Sequence, residues 1–232
     1  MKAKLVPNVM ALLFLAAPVL AQDFCEGDFN YNGSVAGEDV SVFLEDFGRS
    51  PFNNPCPSDG PTPVCQTGLT TSYATGDDGD LQRGVALVTP RFTDNLNGTI
   101  TDNQTGLIWL KEANCFGFRR WDQAISDSNG LASGSCGLTD GSSADDWRLP
   151  NKKGLISLTH DGYYEPTLSN TAGTAQWSEG DPFTSVQSSQ YWSSTGFSTI
   201  SNYAWSVHMG SGYVLSYDKH SSLYVWPVRG GH

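Results

Sequence analysis

Apolar residues recur along this chain with several different periods. Val9 to Leu20 is an apolar run without a charge. Val40, Phe43, Leu44 and Phe47 recur at helical spacing and stop at Gly48, which predicts a short helix with one apolar face. Phe92 to Asp102 reads as a hairpin turning on Asn97-Gly98, the dipeptide best suited to such turns. Gly106 to Leu110, with Trp109 inside it, predicts a buried strand. Trp121 to Leu131 and Asn151 to His160 read as short helices, the second announced by Pro150. A Ser/Gly-rich insert spans 169–189. Near the C-terminus, a turn at Gly210-Ser211-Gly212 pairs Met209 with Tyr213, Val207 with Leu215 and Trp205 with Tyr217. That register leaves one face of the ribbon apolar and puts Ser206, His208, Ser216 and Asp218 on the other. A last strand runs from Leu223 to Arg229.

This mixture predicts an α+β fold with a small antiparallel sheet, two short helices and long loops. The chain divides at its composition shifts. Lys2 and Lys4, the apolar run and the small residue Ala21 form a secretory signal over 1–21. That run is short for a membrane span, and no second apolar run approaches the length needed. Residues 22–56 form a mini-module. Residues 57–84 are a Pro-rich, then acidic, linker in which 68–80 is an extended lead-in. Residues 85–232 form the main domain. The net charge of −11 argues against nucleic acid as a partner, because phosphates would be repelled.

The mini-module carries the most assignable chemistry. Asp28, Asn30, Asn32, Ser34 and Asp39 occupy positions 1, 3, 5, 7 and 12 of a calcium loop, with Gly33 at the sharp turn. Hard oxygen ligands at that spacing predict one calcium ion of weak affinity, of the order of 0.1 to 1 mM. Cys25 and Cys56 flank the loop and its helix, and a disulfide there would clip a module too small for its own core. Cys115 and Cys136 flank a predicted helix and make a natural second pair. Cys65 is left over, or pairs with Cys56; the spacing leaves that connectivity open. Closure of the loop on Asp39 rather than Glu resembles dockerin modules. That resemblance implies a cohesin-like partner, although dockerins carry two such loops and one is found here.

Three segments carry a second resemblance: Phe92 to Leu110, Trp147-Arg148-Leu149-Pro150-Asn151, and Tyr191-Trp192-Ser193-Ser194-Thr195 with the strands that follow it up to Val228-Arg229-Gly230-Gly231. Together they resemble the C-terminal domain of the Legionella collagen-like adhesin. The resemblance implies a C-type-lectin-like fold shared with formylglycine-generating enzymes, and the binding of sulfated glycans. In the Trp-Arg-Leu-Pro motif, Trp147 and Leu149 alternate toward a core. Arg148 is left to pair with a carboxylate or a backbone carbonyl.

No catalytic constellation is evident. No cysteine follows Cys136, so the cysteine pair of formylglycine-type oxidases is missing. His160, His208, His220 and His232 lack metal-ligand spacing, and Asp140, Asp145 and Asp146 sit in a Gly/Ser-rich loop. The chain therefore reads as a non-catalytic adhesion protein that binds an extracellular glycan or surface polysaccharide. The alternatives are a dockerin-bearing accessory component of a polysaccharide-degrading system and, last, an enzyme on a formylglycine-generating-enzyme-like fold. Candidate ligand-binding residues are the basic doublets Arg119-Arg120 and Lys152-Lys153, with Trp177 and Tyr224. Tyr163 and Tyr164 are further candidates for exposure.

Overall fold

The computed structural model describes residues 64–230. The signal segment, the calcium loop (Asp28, Asn30, Asn32, Ser34, Asp39), and Cys25 and Cys56 lie outside the described residues. The described part is α+β and mostly sheet. Its helices are short: α1 (Asp78–Leu81), α2 (Trp121–Asn129) and α3 (Lys152–Ile156). Its strands are β1 (Phe92–Asp94), β2 (Thr99–Asp102), β3 (Ile108–Leu110), β4 (Phe118–Arg119), β5 (Gln190–Gly196), β6 (Tyr203–His208), β7 (Val214–Asp218), β8 (Leu223–Tyr224) and β9 (Val228–Arg229).

The strands form two sheets, ordered β1-β2-β3-β9 and β4-β8-β5-β6-β7. The run expected as one final strand, Leu223 to Arg229, is divided between them. Tyr224 lies beside Tyr191 in a parallel pairing, while Val228 lies antiparallel to Trp109. Pro227 stands at the division. It has no N–H to give a ladder, and its carbonyl accepts from Leu110 N–H at 3.1 Å.

The first hairpin forms where Asn97-Gly98 predicts it. Phe92 faces Asp102 and Asp94 faces Ile100. Its loop takes Leu96 and Gly98 at positive φ (59° and 85°). Gly98 is needed twice over, since an added Cβ would meet the Gly137 carbonyl at 2.4 Å.

The β6–β7 hairpin is also present, but its register is one residue away from the expected one. Val207 faces Val214, Trp205 faces Ser216 and Ala204 faces Tyr217. The cause is the turn. His208 N–H bonds the Tyr213 carbonyl at 2.8 Å, and Met209 leaves the ladder. Met209 is fully buried; its N–H donates to the Ser189 carbonyl at 2.8 Å and its carbonyl accepts from Thr167 N–H at 2.8 Å. Burying a Met side chain is worth about 1.5–3 kcal/mol, enough to decide between two turns. The one-sided ribbon fails for a second reason. β6 is an internal strand with both Ser206 and Val207 buried, whereas Leu215 on the edge strand is 46% exposed.

Successive residues of β5 point to opposite faces, and the two apolar clusters follow from this. Tyr191 enters the larger cluster around Phe92, Trp109, Phe183 and Trp226. Trp226 meets Phe183 edge-on at 4.9 Å and Trp109 at 5.6 Å. Trp192 enters the smaller cluster with Ala204, Leu149 and Ala124 of α2. A buried ion pair joins the first hairpin to the turn after α3. Arg91 donates twice to Asp102, each at 2.9 Å, and once to the Ser157 carbonyl at 2.6 Å. The two side chains are 2% and 0% exposed.

Both longer helices end earlier than their apolar patterns suggest. After α3, Leu158 and Thr159 N–H reach back only three residues, and His160 N–H turns to the Thr167 carbonyl at 3.0 Å. Residues 68–80, expected as an extended lead-in, close into a turn that runs into α1. The Asp77 carboxylate accepts from Tyr73 N–H at 2.6 Å, Asp80 N–H at 2.8 Å and Ala74 N–H at 2.9 Å. These bonds hold its pKa down at about 2. The segment docks on the domain through Asp161 N–H, which donates to the Thr67 carbonyl at 3.0 Å, and by packing Gly68 against the His160 ring.

Candidate ligand-binding surface

The expected disulfide between Cys115 and Cys136 is present, with Cα atoms 5.7 Å apart. It ties the loop after β3 to the loop after α2. The Cys65 thiol is exposed and accepts from Gln104 Nε2 at 2.9 Å.

The Trp-Arg-Leu-Pro motif is built into the scaffold. Trp147 and Leu149 are both buried. Arg148 pairs its backbone with Val228, and its guanidinium donates to the Gly230 carbonyl at 2.7 Å. Asp140, whose side chain is buried, accepts from the Ser142 hydroxyl at 2.7 Å and pairs with Arg229 at 3.1 Å. Trp147 Nε1 donates to that same Ser142 hydroxyl at 3.0 Å, and Arg229 lies over the Trp147 ring. Asp140 thus sets a buried carboxylate between the motif and the C-terminal strand. Among the described residues, no group of three or more His, Cys, Asp or Glu side chains is placed to hold a metal ion.

One basic doublet lies at the end of β4 and the other at the start of α3. Arg119 belongs to the edge strand β4, and Asp127 of α2 answers its charge at 2.6 Å. Arg120 is exposed and precedes α2 as its N-cap. Beside it, Phe118 is 57% exposed and stacks on Tyr224 of β8, with ring centroids 4.2 Å apart. Alternation along these strands puts Phe118 and Tyr224 on one face and Arg119 and Leu223 on the other. Tyr224 is half-buried against Tyr191. Lys152 of α3 holds its ammonium 4.3 Å above the Trp205 ring, and Lys153 next to it is exposed. Trp177 is half-buried on the larger cluster, where its Nε1 donates to the Phe183 carbonyl at 3.1 Å.

A second cation-capped tryptophan has no signal in the sequence pattern. Lys219 Nζ sits 4.1 Å above Trp121 and donates to the Ser201 carbonyl at 2.7 Å. Trp121 Nε1 bonds the Ser193 carbonyl at 2.8 Å, and Lys152 N–H bonds the Thr195 hydroxyl at 3.0 Å. Both lysine-capped rings are therefore anchored near the same stretch of β5. An ammonium over an exposed ring contributes about 0.5–1 kcal/mol and covers that face. What such a site presents outward is a hydrogen-bond donor beside an aromatic edge, which suits an oxygen-rich ligand. Phe118 could have been found from its place beside the Arg119-Arg120 doublet. Lys219 could not, because only the β6–β7 and α2 packing brings it to Trp121.

A shallow cavity of about 300 Å³ lies beside the disulfide, lined by Gly98, Lys111, Glu112, Cys136, Gly137 and Thr184. Its charges are already answered. Lys111 pairs with Asp94 at 2.7 Å, and Glu112 accepts from the Thr184 hydroxyl at 2.9 Å. Burial works to raise the Asp94 pKa, but the Lys111 ammonium and the Leu96 N–H outweigh it and hold it below its usual value.

No helix among the described residues is long and apolar enough to cross a membrane. No curated protein matches the chain. The family model of the Lcl C-terminal domain matches residues 98–229, which takes in both sheets from the turn of the first hairpin to β9. That match covers more than half of the sequence, and the chain belongs to the Lcl C-terminal domain family.

Proposed function

We propose that this chain is a secreted, non-catalytic surface adhesion protein whose C-terminal domain, of C-type-lectin-like fold, binds an extracellular glycan. Membership of the Lcl C-terminal domain family supports a surface-associated role. The observation that carries the glycan reading is the Phe118–Tyr224 stack at the edge of the larger sheet, exposed on Phe118 and flanked by the exposed Arg120. A planar apolar face next to a free cationic donor suits a sugar ring bearing an acidic or sulfated substituent. The test compares the secreted chain with its Phe118→Ser, Arg120→Ser variant for retention on immobilised sulfated and unsulfated polysaccharide. Retention lost in the variant supports the assignment. Equal retention removes this edge from the site.

The N-terminal dockerin-like module serves attachment and stability, with one calcium ion held by Asp28, Asn30, Asn32, Ser34 and Asp39. Recruitment to a polysaccharide-degrading assembly is the second reading, favoured by closure of that loop on Asp39. Capture on a cohesin column in calcium, reversed by chelator, would support it. Passage through the column in both conditions would count against it.

A further inference from the structure

Two exposed tyrosines lie away from the Phe118–Arg120 edge and are absorbed by none of the roles above. Tyr164 is 66% exposed and Tyr213 is 69% exposed. The chain holds them with short, regular hydrogen bonds. Glu165 N–H donates to the Gly210 carbonyl at 2.8 Å and Thr167 N–H to the Met209 carbonyl at 2.8 Å, which zips the 164–167 segment onto the β6–β7 turn. His208 N–H fixes Tyr213 from the other side through its carbonyl at 2.8 Å. Gly210 has no room for a side chain, because an added Cβ would meet His208 Cε1 at 2.8 Å, so the turn is packed tightly beneath. Gln176 Nε2 donates to the Tyr164 carbonyl at 2.6 Å and the Pro166 carbonyl at 3.0 Å. Keeping two large aromatics in water on a fixed backbone has no stability benefit, since apolar surface gains from burial.

Two side chains next to Tyr164 offer acceptors. Glu165 is exposed, and its charge beside Tyr164 raises that phenol's pKa. Gln176 has committed its amide N–H groups to backbone carbonyls, which leaves its Oε1 as an acceptor. Beside the tyrosine hydroxyls the surface therefore carries two side-chain acceptors and one negative charge. A sulfate or carboxylate would be repelled there. A neutral pyranose fits: its C–H face stacks on a tyrosine ring, and its hydroxyl groups supply the donors that Glu165 and Gln176 lack.

We propose that Tyr164, Tyr213, Glu165 and Gln176 form a second glycan subsite, selective for uncharged pyranose residues and distinct from the basic edge. It deepens the glycan-binding reading, and the experiment is chosen to separate the failure of one from the failure of the other. Saturation-transfer NMR on the full secreted chain would use the methyl glycosides of glucose, galactose, mannose and N-acetylglucosamine as probes, with choline as a cationic control. Transfer to the ring C–H protons of at least one glycoside is expected. Tyr213→Ala and Tyr164→Ala, both at exposed positions, are expected to weaken it about tenfold, as loss of an aromatic contact at a small site would. Glu165→Gln is expected to weaken it less, and Val64→Ala, at an exposed position outside both sites, not at all. No transfer to any glycoside, transfer to choline in their place, or glycoside binding unchanged in both tyrosine variants would overturn the proposal. In that event retention on sulfated polysaccharide that is lost with Arg120→Ser would leave the basic-edge reading standing.

Discussion

At the scale of single residues, the domain depends on buried charges whose partners are remote in sequence. Asp102 is fully buried and accepts two hydrogen bonds from Arg91, one from Gln104 N–H at 2.9 Å and one from the Thr105 hydroxyl at 2.8 Å. Removing it strands a buried guanidinium. Asp102→Ala is expected to cost about 3–5 kcal/mol in urea unfolding, and more than the paired Arg91→Met, Asp102→Leu replacement. A second expectation concerns pH. Burial, helped by the charge of Arg91, lowers the His160 pKa below 6.5. The unfolded chain then takes up this proton before the native one does. Stability from His160 is complete above the unfolded value and is lost as pH falls through the native one. The urea midpoint is expected to drop between about pH 7 and pH 5, and the drop to shrink in His160→Gln. Neither site was legible in the sequence. Asp102 reads as one more turn aspartate, and nothing near His160 announces that Gly68 closes over it. Trp147 and Leu149 were legible, because alternation before Pro150 is a local signal.

At the scale of elements, local chemistry announced where chain reversals occur but not how many residues each would take. Asn97-Gly98 marks a hairpin correctly. Gly210-Ser211-Gly212 marks another, yet the register depends on Met209 dropping into the core, a long-range preference. Met209→Ala is expected to cost about 2–5 kcal/mol in thermal or urea unfolding, in keeping with a fully buried side chain. A cost below about 0.5 kcal/mol, as at a surface position, would contradict the role given to Met209 in setting the turn. The division of the last strand at Pro227 could have been anticipated, since proline interrupts a ladder. The disulfide was legible because its cysteines flank one helix. It closes a loop with a sequence separation of 21, and Cys115→Ser, Cys136→Ser is expected to destabilise the domain by about 3 kcal/mol.

At the scale of the whole molecule, family membership rests on segments spread over residues 98–229, and those segments were visible as a set of motifs before the fold was. The composition of the candidate surface was less visible. Arg119, Arg120, Lys152 and Tyr224 were legible in the sequence as basic doublets and a strand aromatic. Phe118 adjoins the doublet in sequence but meets Tyr224 only through strand pairing, and Lys219 reaches Trp121 only through packing. The N-terminal module adds a separate expectation. Calorimetry on the full chain should show one calcium site, lost in Asp28→Ala, Asp39→Ala; binding that survives the double substitution would exclude the loop as the site. The most direct measurement is a glycan array probed with the full chain in calcium buffer, with the captured glycans then analysed for cleavage. Non-catalytic adhesion predicts selective retention and chemically intact glycans. A blank array, or glycans released as cleaved products, would contradict it.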